Sequence, residues 1–180
     1  MTAEDWTRLS AIATAAMALI AAAAVVVAVC QLRVQARITR YATAFDSLWR
    51  LDDRWDSPEI QRVRRAAATA IMENREAVDV EGVLDFFELV ALLVKNDVVE
   101  DMLVWHEFYH YLSNYWPLTR EYVERVRREN PVLYENVVDL VPRLDAIEAA
   151  RRRRTVAEIT PSREALNEFL EDELHAGLTA

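Results

Sequence analysis

The sequence predicts an all-α protein, with one N-terminal transmembrane helix followed by a cytoplasmic bundle of about six helices. Three observations predict this fold class. Residues 9–32 form an uncharged run of 24 residues, and apolar residues after it recur at spacings of three and four. Prolines separate these periodic segments, and no segment alternates between apolar and polar residues as a half-buried strand does.

The uncharged run is long enough to cross a bilayer. At 1.5 Å per residue, 24 residues reach about 36 Å, more than the roughly 30 Å of a hydrocarbon core. A secretory signal peptide begins with basic residues and has a shorter run, whereas Glu4 and Asp5 precede Arg8 here. A buried helix of a water-soluble protein is the other alternative. Residues 1–8 are therefore predicted to be a short extracytoplasmic N-terminus and residues 9–32 the span.

Three arginines directly after this run predict its orientation. Arg33, Arg37 and Arg40 follow the run, while only Arg8 precedes it, so the positive-inside rule places the C-terminal part in the cytoplasm at the inner (plasma) membrane. Their spacing puts the three on one helix face, where they would bind acidic lipid headgroups or simply stop translocation. The lipid bilayer is the first predicted partner. Alanines four residues apart within the run would also permit self-association.

Composition limits the remaining possibilities. The chain has 180 residues and a net charge of −9, which argues against a nucleic-acid partner. Its single cysteine, Cys30, excludes an internal disulfide and could be acylated, although a small apolar residue there needs no such role. Residues 33–150 are predicted to form the helical cytoplasmic domain, and residues 151–180 a basic run and an amphipathic helix. We interpret the four arginines of 151–154 as the solvated end of a helix.

The first helix is predicted to continue from the run to about Trp55. The sequence Asp56-Ser57-Pro58-Glu59 then indicates a stop and a restart, because Asp56 or Ser57 can cap a helix and proline is tolerated in its first turn. The second helix is expected to reach about Glu73.

A third helix is predicted over residues 79–95. Apolar residues cover most of its circumference, which predicts a central position in the bundle. Glu88 would then be partly buried and would need a cation. The candidate cations are Arg54, Arg62, Arg64 and Arg65.

The C-terminal half is divided by prolines. A fourth helix over 98–115 is expected to end at Trp116-Pro117, and a short fifth helix covers 119–129. A sixth helix contains Pro142, which should kink it. The last helix is predicted over 160–175.

One motif has a recognised chemistry. Residues 106–110 spell HExxH, and the motif resembles that of the zinc proteases called zincins. His106 and His110 would bind zinc from one helix face, and Glu107 would be the general base. A catalytic zinc needs a third protein ligand, and Trp116 occupies the position where some zincins have a third histidine. Glu135 is the candidate third ligand, at a plausible spacing.

The phase of this helix favours a structural alternative. Trp105, Phe108, Leu112 and Tyr115 form the stripe that should face the core, which places the two histidines and Glu107 on the opposite, polar face. Zincins also present a strand edge to their peptide substrate, and no strand is predicted. We therefore expect no metal, no cofactor and no catalytic residue, with the zinc site as the alternative.

The central part resembles an uncharacterised bacterial family of short single-span membrane proteins with a helical cytoplasmic domain. The resemblance covers most of residues 40–140, and its motifs are only moderately specific. It implies fold and topology but no activity, and it is not associated with a metal. The residues that carry it are 51–59 (Leu-Asp-Asp-Arg-Trp-Asp-Ser-Pro-Glu) and the arginines after them, 83–105 with Phe86-Phe87-Glu88, Tyr115-Trp116 and Tyr134-Glu135-Asn136.

These observations favour a membrane-anchored helical interaction or sensing module over an enzyme. The residues expected to matter are structural: the span, the three arginines after it, and a core around Phe86, Phe87, Trp105 and Phe108. The alternative function is a small membrane-anchored zinc hydrolase that uses the motif at 106–110.

Overall fold

The computed structural model describes residues 3–73 and 80–175, without the side chains of residues 3–16, 18–23 and 26. Every regular element in these ranges is a helix, and no strand occurs among them, so the all-α prediction is confirmed. The chain forms two compact units, Met1–Thr43 and Ala44–Ala180.

Helix α1 covers Ala3–Trp55. Across the residues that the structure describes, no helix combines the length and the apolar character needed to cross a membrane. This finding contradicts the transmembrane helix predicted over 9–32. The prediction depended on a run in which 10 of 24 residues are alanine, and alanine adds little to the free energy of membrane insertion. The single-pass topology and the inner-membrane localisation rested on that span and are therefore wrong as well.

The other predictions for this region are not tested. Arg33, Arg37 and Arg40 are exposed on α1, as is the thiol of Cys30, and a lipid-headgroup role for the arginines stays a prediction. The alanine pairs of the predicted self-association lie among side chains outside the described residues.

Over its described residues, the second unit contains the end of α1 and six further helices. The predicted restart at Pro58 and the last helix are confirmed, and the basic run lies within the same unit as the helices before it. The six helices are α2 Pro58–Met72, α3 Glu81–Lys95, α4 Asp101–Glu129, α5 Glu135–Arg152, α6 Val156–Ile159 and α7 Arg163–His175.

The restart between α1 and α2 follows from a local capping signal. Ser57 is the N-cap, and its hydroxyl accepts a hydrogen bond from the backbone N–H of Ile60 at 3.3 Å. Pro58 occupies the first turn, where the missing N–H would have no helical partner anyway. Of the two predicted capping residues, the structure uses Ser57.

Helix α3 is central, as predicted. Phe86 and Phe87 are buried, and the ring of Phe86 lies 4.6 Å from that of Trp55 and 5.5 Å from that of Phe108. Tilted and edge-to-face contacts of this kind add to the free energy of apolar burial. Trp105 is only half-buried, so it lies at the margin of this core.

Pro117 does not end a helix, contrary to the prediction. Helix α4 runs through it for 29 residues. Buried residues anchor the helix on both sides of the proline, including Tyr115 and Thr119. The proline removes one backbone hydrogen bond, the one to the Ser113 carbonyl, and the buried residues on both sides hold the helix together across this gap.

Glu88 is half-buried, but its partner is not an arginine. Its carboxylate accepts hydrogen bonds from the backbone N–H of Val137 at 2.9 Å and from the Asn136 amide Nδ2 at 2.6 Å. Residue Tyr134, the N-cap of α5, has a φ of 55° and no capping side-chain hydrogen bond. Glu88 therefore caps α5 from a different helix, where a negative charge also complements the helix dipole.

The buried arginine is Arg64, one of the four candidates proposed for Glu88. Its Nε donates to Glu173 of α7 at 2.7 Å, and the Tyr115 hydroxyl donates to the same carboxylate at 2.6 Å. The guanidinium also lies over the rings of Trp55 and Tyr111, at 4.5 and 4.9 Å. This network joins α2, α4 and α7.

Candidate functional site

The HExxH motif lies on α4 with its apolar and polar residues on opposite sides. Phe108 is fully buried, whereas His106, Glu107 and His110 are exposed. This is the arrangement that the helical phase predicts. The ring of His110 packs edge-on against Phe169 of α7, with 5.8 Å between the ring centroids.

Both histidines line a cavity of about 490 Å³ between α4, α5 and the C-terminal segment, which we call the histidine cavity. Its wall also contains Trp105, whose indole N–H donates to Glu148 at 3.0 Å, and Arg152, which forms an ion pair with Glu148. Glu168 and Asp172 of α7 complete its charged lining.

The remaining residues of the predicted zinc site lie elsewhere. Glu135 forms an ion pair with Lys95 at 2.8 Å, and it precedes the cavity residue Glu148 by thirteen residues on α5, which is about 20 Å. Glu107 is not part of the cavity wall. Its charge instead acts on Asp52, whose pKa is raised first by burial, then by the charge of Asp56 and then by that of Glu107. The structure therefore brings His106 and His110 together, without Glu107 and without Glu135.

A complete metal site is not formed by the described residues. Within 3–73 and 80–175, no group of three histidine, cysteine or acidic side chains is arranged to hold a metal ion. The zinc hydrolase stays a prediction whose third ligand has not been found.

A second concave surface, which was not predicted from the sequence, lies between the C-terminal half of α4 and α5. This cavity of about 530 Å³ is the arginine groove. Its floor is apolar and its rim is charged. The apolar lining residues are Trp116, Val123, Val138, Val141 and Pro142, and the charged ones are Arg120, Glu124, Arg127, Arg128 and Asp145.

The rim charges are held mainly by surface contacts. Arg120 pairs with Glu124 at 2.8 Å in an exposed i,i+4 contact, and the Arg127 guanidinium donates to the Leu133 carbonyl at 2.8 Å. Asp145 accepts a hydrogen bond from the Tyr109 hydroxyl at 2.9 Å, and burial raises the pKa of its carboxyl group. Three guanidinium groups thus face two carboxylates, which makes the rim positive in a chain of net charge −9.

One feature of the sequence, a proline inside a helix, is related to this groove. Pro142 lies inside α5 and has no N–H, so the Val138 carbonyl lacks its usual helical donor. Val138 and Pro142 both line the groove. A helix-interior proline marks a backbone carbonyl without its helical donor, although no sequence pattern shows that α4 and α5 are adjacent.

The basic run takes part in the fold while staying exposed. Arg151 lies 4.3 Å from the centre of the Trp105 ring, and Arg152 pairs with the buried carboxylate of Glu148. All four arginines of 151–154 are exposed, and Arg152 is the last residue of α5. The interpretation as a helix end agrees with these positions.

One comparison with known proteins gives a match. A family model with the description "Domain of unknown function (DUF4760)" matches residues 18–144, which leaves α6 and α7 outside the match. The chain matches no curated protein and no solved structure significantly. The resemblance to an uncharacterised helical family is thus confirmed in this coarser form, and these comparisons add nothing in support of a zincin or of a membrane span.

Proposed function

The chain belongs to the DUF4760 family of domains of unknown function, and we propose from its own surface that its second unit is an interaction module that binds a segment of a partner protein. The arginine groove is the binding site. The single observation that carries the proposal is the combination of an apolar floor with a positive rim in a strongly acidic chain.

The groove has the features of a recognition site. Apolar side chains of a partner would remove Trp116, Val138 and Pro142 from water, which is the main source of binding free energy. The guanidinium groups of Arg120 and Arg128 would then bind carboxylates of the partner and set its position. Charge of this kind contributes more to specificity and association rate than to affinity.

Photo-crosslinking in the cells that produce the chain tests this proposal. A photoreactive amino acid replaces Glu124 at the rim of the groove, and in a control chain it replaces Met102, an exposed residue outside the groove. We expect a discrete crosslinked product from position 124 that position 102 does not give. The product should be lost with Arg120→Glu/Arg128→Glu and retained with Arg154→Glu, an exposed arginine outside the groove.

Each outcome of the crosslinking experiment either supports or contradicts the proposal. Loss of the product with the groove variant alone supports a partner held by the arginine rim. A product that is equal at both positions, or that survives charge reversal of the rim, would contradict the proposal, as would the absence of a product from position 124.

A zinc hydrolase is the second candidate function. Its support is that His106 and His110 lie side by side at the wall of the histidine cavity. Against it stand the ion pair of Glu135 with Lys95 and the position of Glu107 outside the cavity wall. An interaction module at the arginine groove needs no metal ligand, so the ion pair of Glu135 and the position of Glu107 do not count against it.

A further inference from the structure

The arginine groove and the histidine cavity are joined by a third cavity of about 220 Å³, which we call the neck. The neck shares Trp116 and Val141 with the arginine groove, and Tyr109 and Ile159 with the histidine cavity. Residues of α4 line all three cavities, from Trp105 to Arg128. At 1.5 Å per residue this distance is about 35 Å. The three cavities therefore follow one another along α4, and we call this surface the trough.

The trough changes character along its length. One end has the arginine rim. The neck exposes mainly apolar surface, and its charged lining is one guanidinium and one carboxylate, those of Arg120 and Asp145. Its apolar walls are Trp116, Pro117, Val141, Val156, Ile159 and Pro161. At the other end, Glu148 pairs with Arg152, which leaves the carboxylates of Glu168 and Asp172 to set the charge beside the two histidines. The trough is thus positive at one end, apolar in the middle and negative at the other end.

The neck has the smallest volume of the three cavities, about 220 Å³ against about 490 and 530 Å³. An extended chain advances about 3.3 Å per residue against 1.5 Å for a helix, so it places less than half as much volume in each ångström of length. A small cavity between two larger ones therefore suits an extended chain better than a helix.

Backbone acceptors in the trough also favour an extended peptide over a helix. Pro117 and Pro142 lack N–H groups, which leaves the carbonyls of Ser113 and Val138 without their i+4 amide donors. Ser113 lines the neck and the histidine cavity, and Val138 lines the arginine groove. An extended peptide carries unpaired backbone N–H groups that suit such carbonyls, whereas those of a helix are already used.

We propose that the trough binds an extended peptide segment of about ten residues, with carboxylates at the arginine-groove end, apolar side chains in the neck, and ammonium or guanidinium groups at the histidine-cavity end. This inference rests on the proposed function, since it specifies the partner of the same groove. The length follows from about 35 Å divided by 3.3 Å per residue.

Two synthetic peptides of identical composition test the charge order. The block peptide has three acidic residues, four apolar residues and three basic residues in that order, and the control peptide alternates the same charges around the same apolar residues. Reversing the block peptide is not a useful control, because it can enter the trough in the opposite chain direction. Binding to the full chain is measured by fluorescence anisotropy at low salt, where exposed charges act most strongly. We expect the block peptide to bind at least tenfold more tightly than the control.

Charge reversal at each end shows whether the peptide lies in the trough. Arg120→Glu/Arg128→Glu and Glu168→Lys/Asp172→Lys change exposed side chains at opposite ends. Each should weaken binding of the block peptide about tenfold, and Arg154→Glu should leave it unchanged. A peptide with its acidic residues replaced by basic ones should recover affinity for the Arg120→Glu/Arg128→Glu chain.

The outcomes separate this inference from the proposed function. Equal binding of the two peptides, or binding that ignores Glu168→Lys/Asp172→Lys, would overturn the trough. If the crosslink in cells at position 124 still depended on Arg120 and Arg128 in that case, the arginine groove would remain a binding site without the trough. Loss of that crosslink in the Glu168→Lys/Asp172→Lys chain supports the trough.

Discussion

The carboxylate of Glu173 accepts a hydrogen bond from Arg64 at 2.7 Å, across 109 residues of sequence. Both side chains are buried, with 6% of Arg64 and 3% of Glu173 exposed. Glu173 lies on α7, outside the part of the chain that matches the family. The C-terminal helix is therefore part of the core of this domain, and it also forms one wall of the trough.

Removing one partner of this pair should destabilise the fold strongly. Glu173→Ala leaves the guanidinium of Arg64 buried without its carboxylate, and breaking such a pair costs about 3–5 kcal/mol. Urea unfolding followed by circular dichroism measures the change. Asp46→Ala is the control, because it breaks an exposed pair with Arg50 that should contribute less than about 1 kcal/mol. Similar losses in the two variants would contradict the structural role of Glu173.

The capping role of Glu88 gives a second prediction. A glutamine at this position replaces one carboxylate oxygen by an NH2 group, so a donor would face either the Val137 N–H or the Asn136 amide where an oxygen now accepts. Glu88→Gln should lower the free energy of unfolding by about 1–2 kcal/mol. The exposed residue Glu129 supplies the control Glu129→Gln. A change below about 0.5 kcal/mol for Glu88→Gln would refute the cap.

Tyr122 predicts a loss of stability at alkaline pH. Burial and a hydrogen bond from its hydroxyl to Glu81 raise the pKa of Tyr122 from 10.0 to about 12. A raised pKa means that the fold favours the neutral phenol. Its contribution is complete below pH 10 and is lost as the pH rises to about 12. In urea unfolding across this range, Tyr122→Phe should show a shallower fall than the parent chain, and parallel curves would contradict the assignment.

Metal analysis tests the role of the two histidines. Because Glu135 is paired with Lys95, we expect Glu135→Gln to leave the zinc content of the purified chain unchanged. We also expect less than one zinc per chain, since the described residues form no site with three ligands. One zinc per chain, lost in a His106→Ala/His110→Ala variant, would instead support the zinc hydrolase.

Local signals in the sequence predicted local structure well. Ser57 and Pro58 begin α2 as expected, because capping and proline preferences act within one helical turn. The same reasoning failed at Pro117. The helix there is held by burial on both sides of the proline, and burial depends on elements that are distant in sequence.

Contacts between residues that are distant in the chain could not be predicted from the sequence. Glu88 was expected to be partly buried, which is correct, but its partner is the N-terminus of α5, some 48 residues away. The trough depends in the same way on α4, α5 and the C-terminal segment lying together. No periodicity in the sequence shows which faces of separate helices meet, so the arginine groove was found only in the structure.

Crosslinking of the block peptide shows where on the chain the peptide binds. A photoreactive residue at the centre of the peptide is activated in the presence of the full chain, and mass spectrometry locates the modified residue. We expect modification in the neck, at Trp116, Val156 or Ile159. Modification mainly at Phe45 and Trp49, which are 58% and 68% exposed on α1, would show non-specific apolar contact and would contradict peptide binding in the trough.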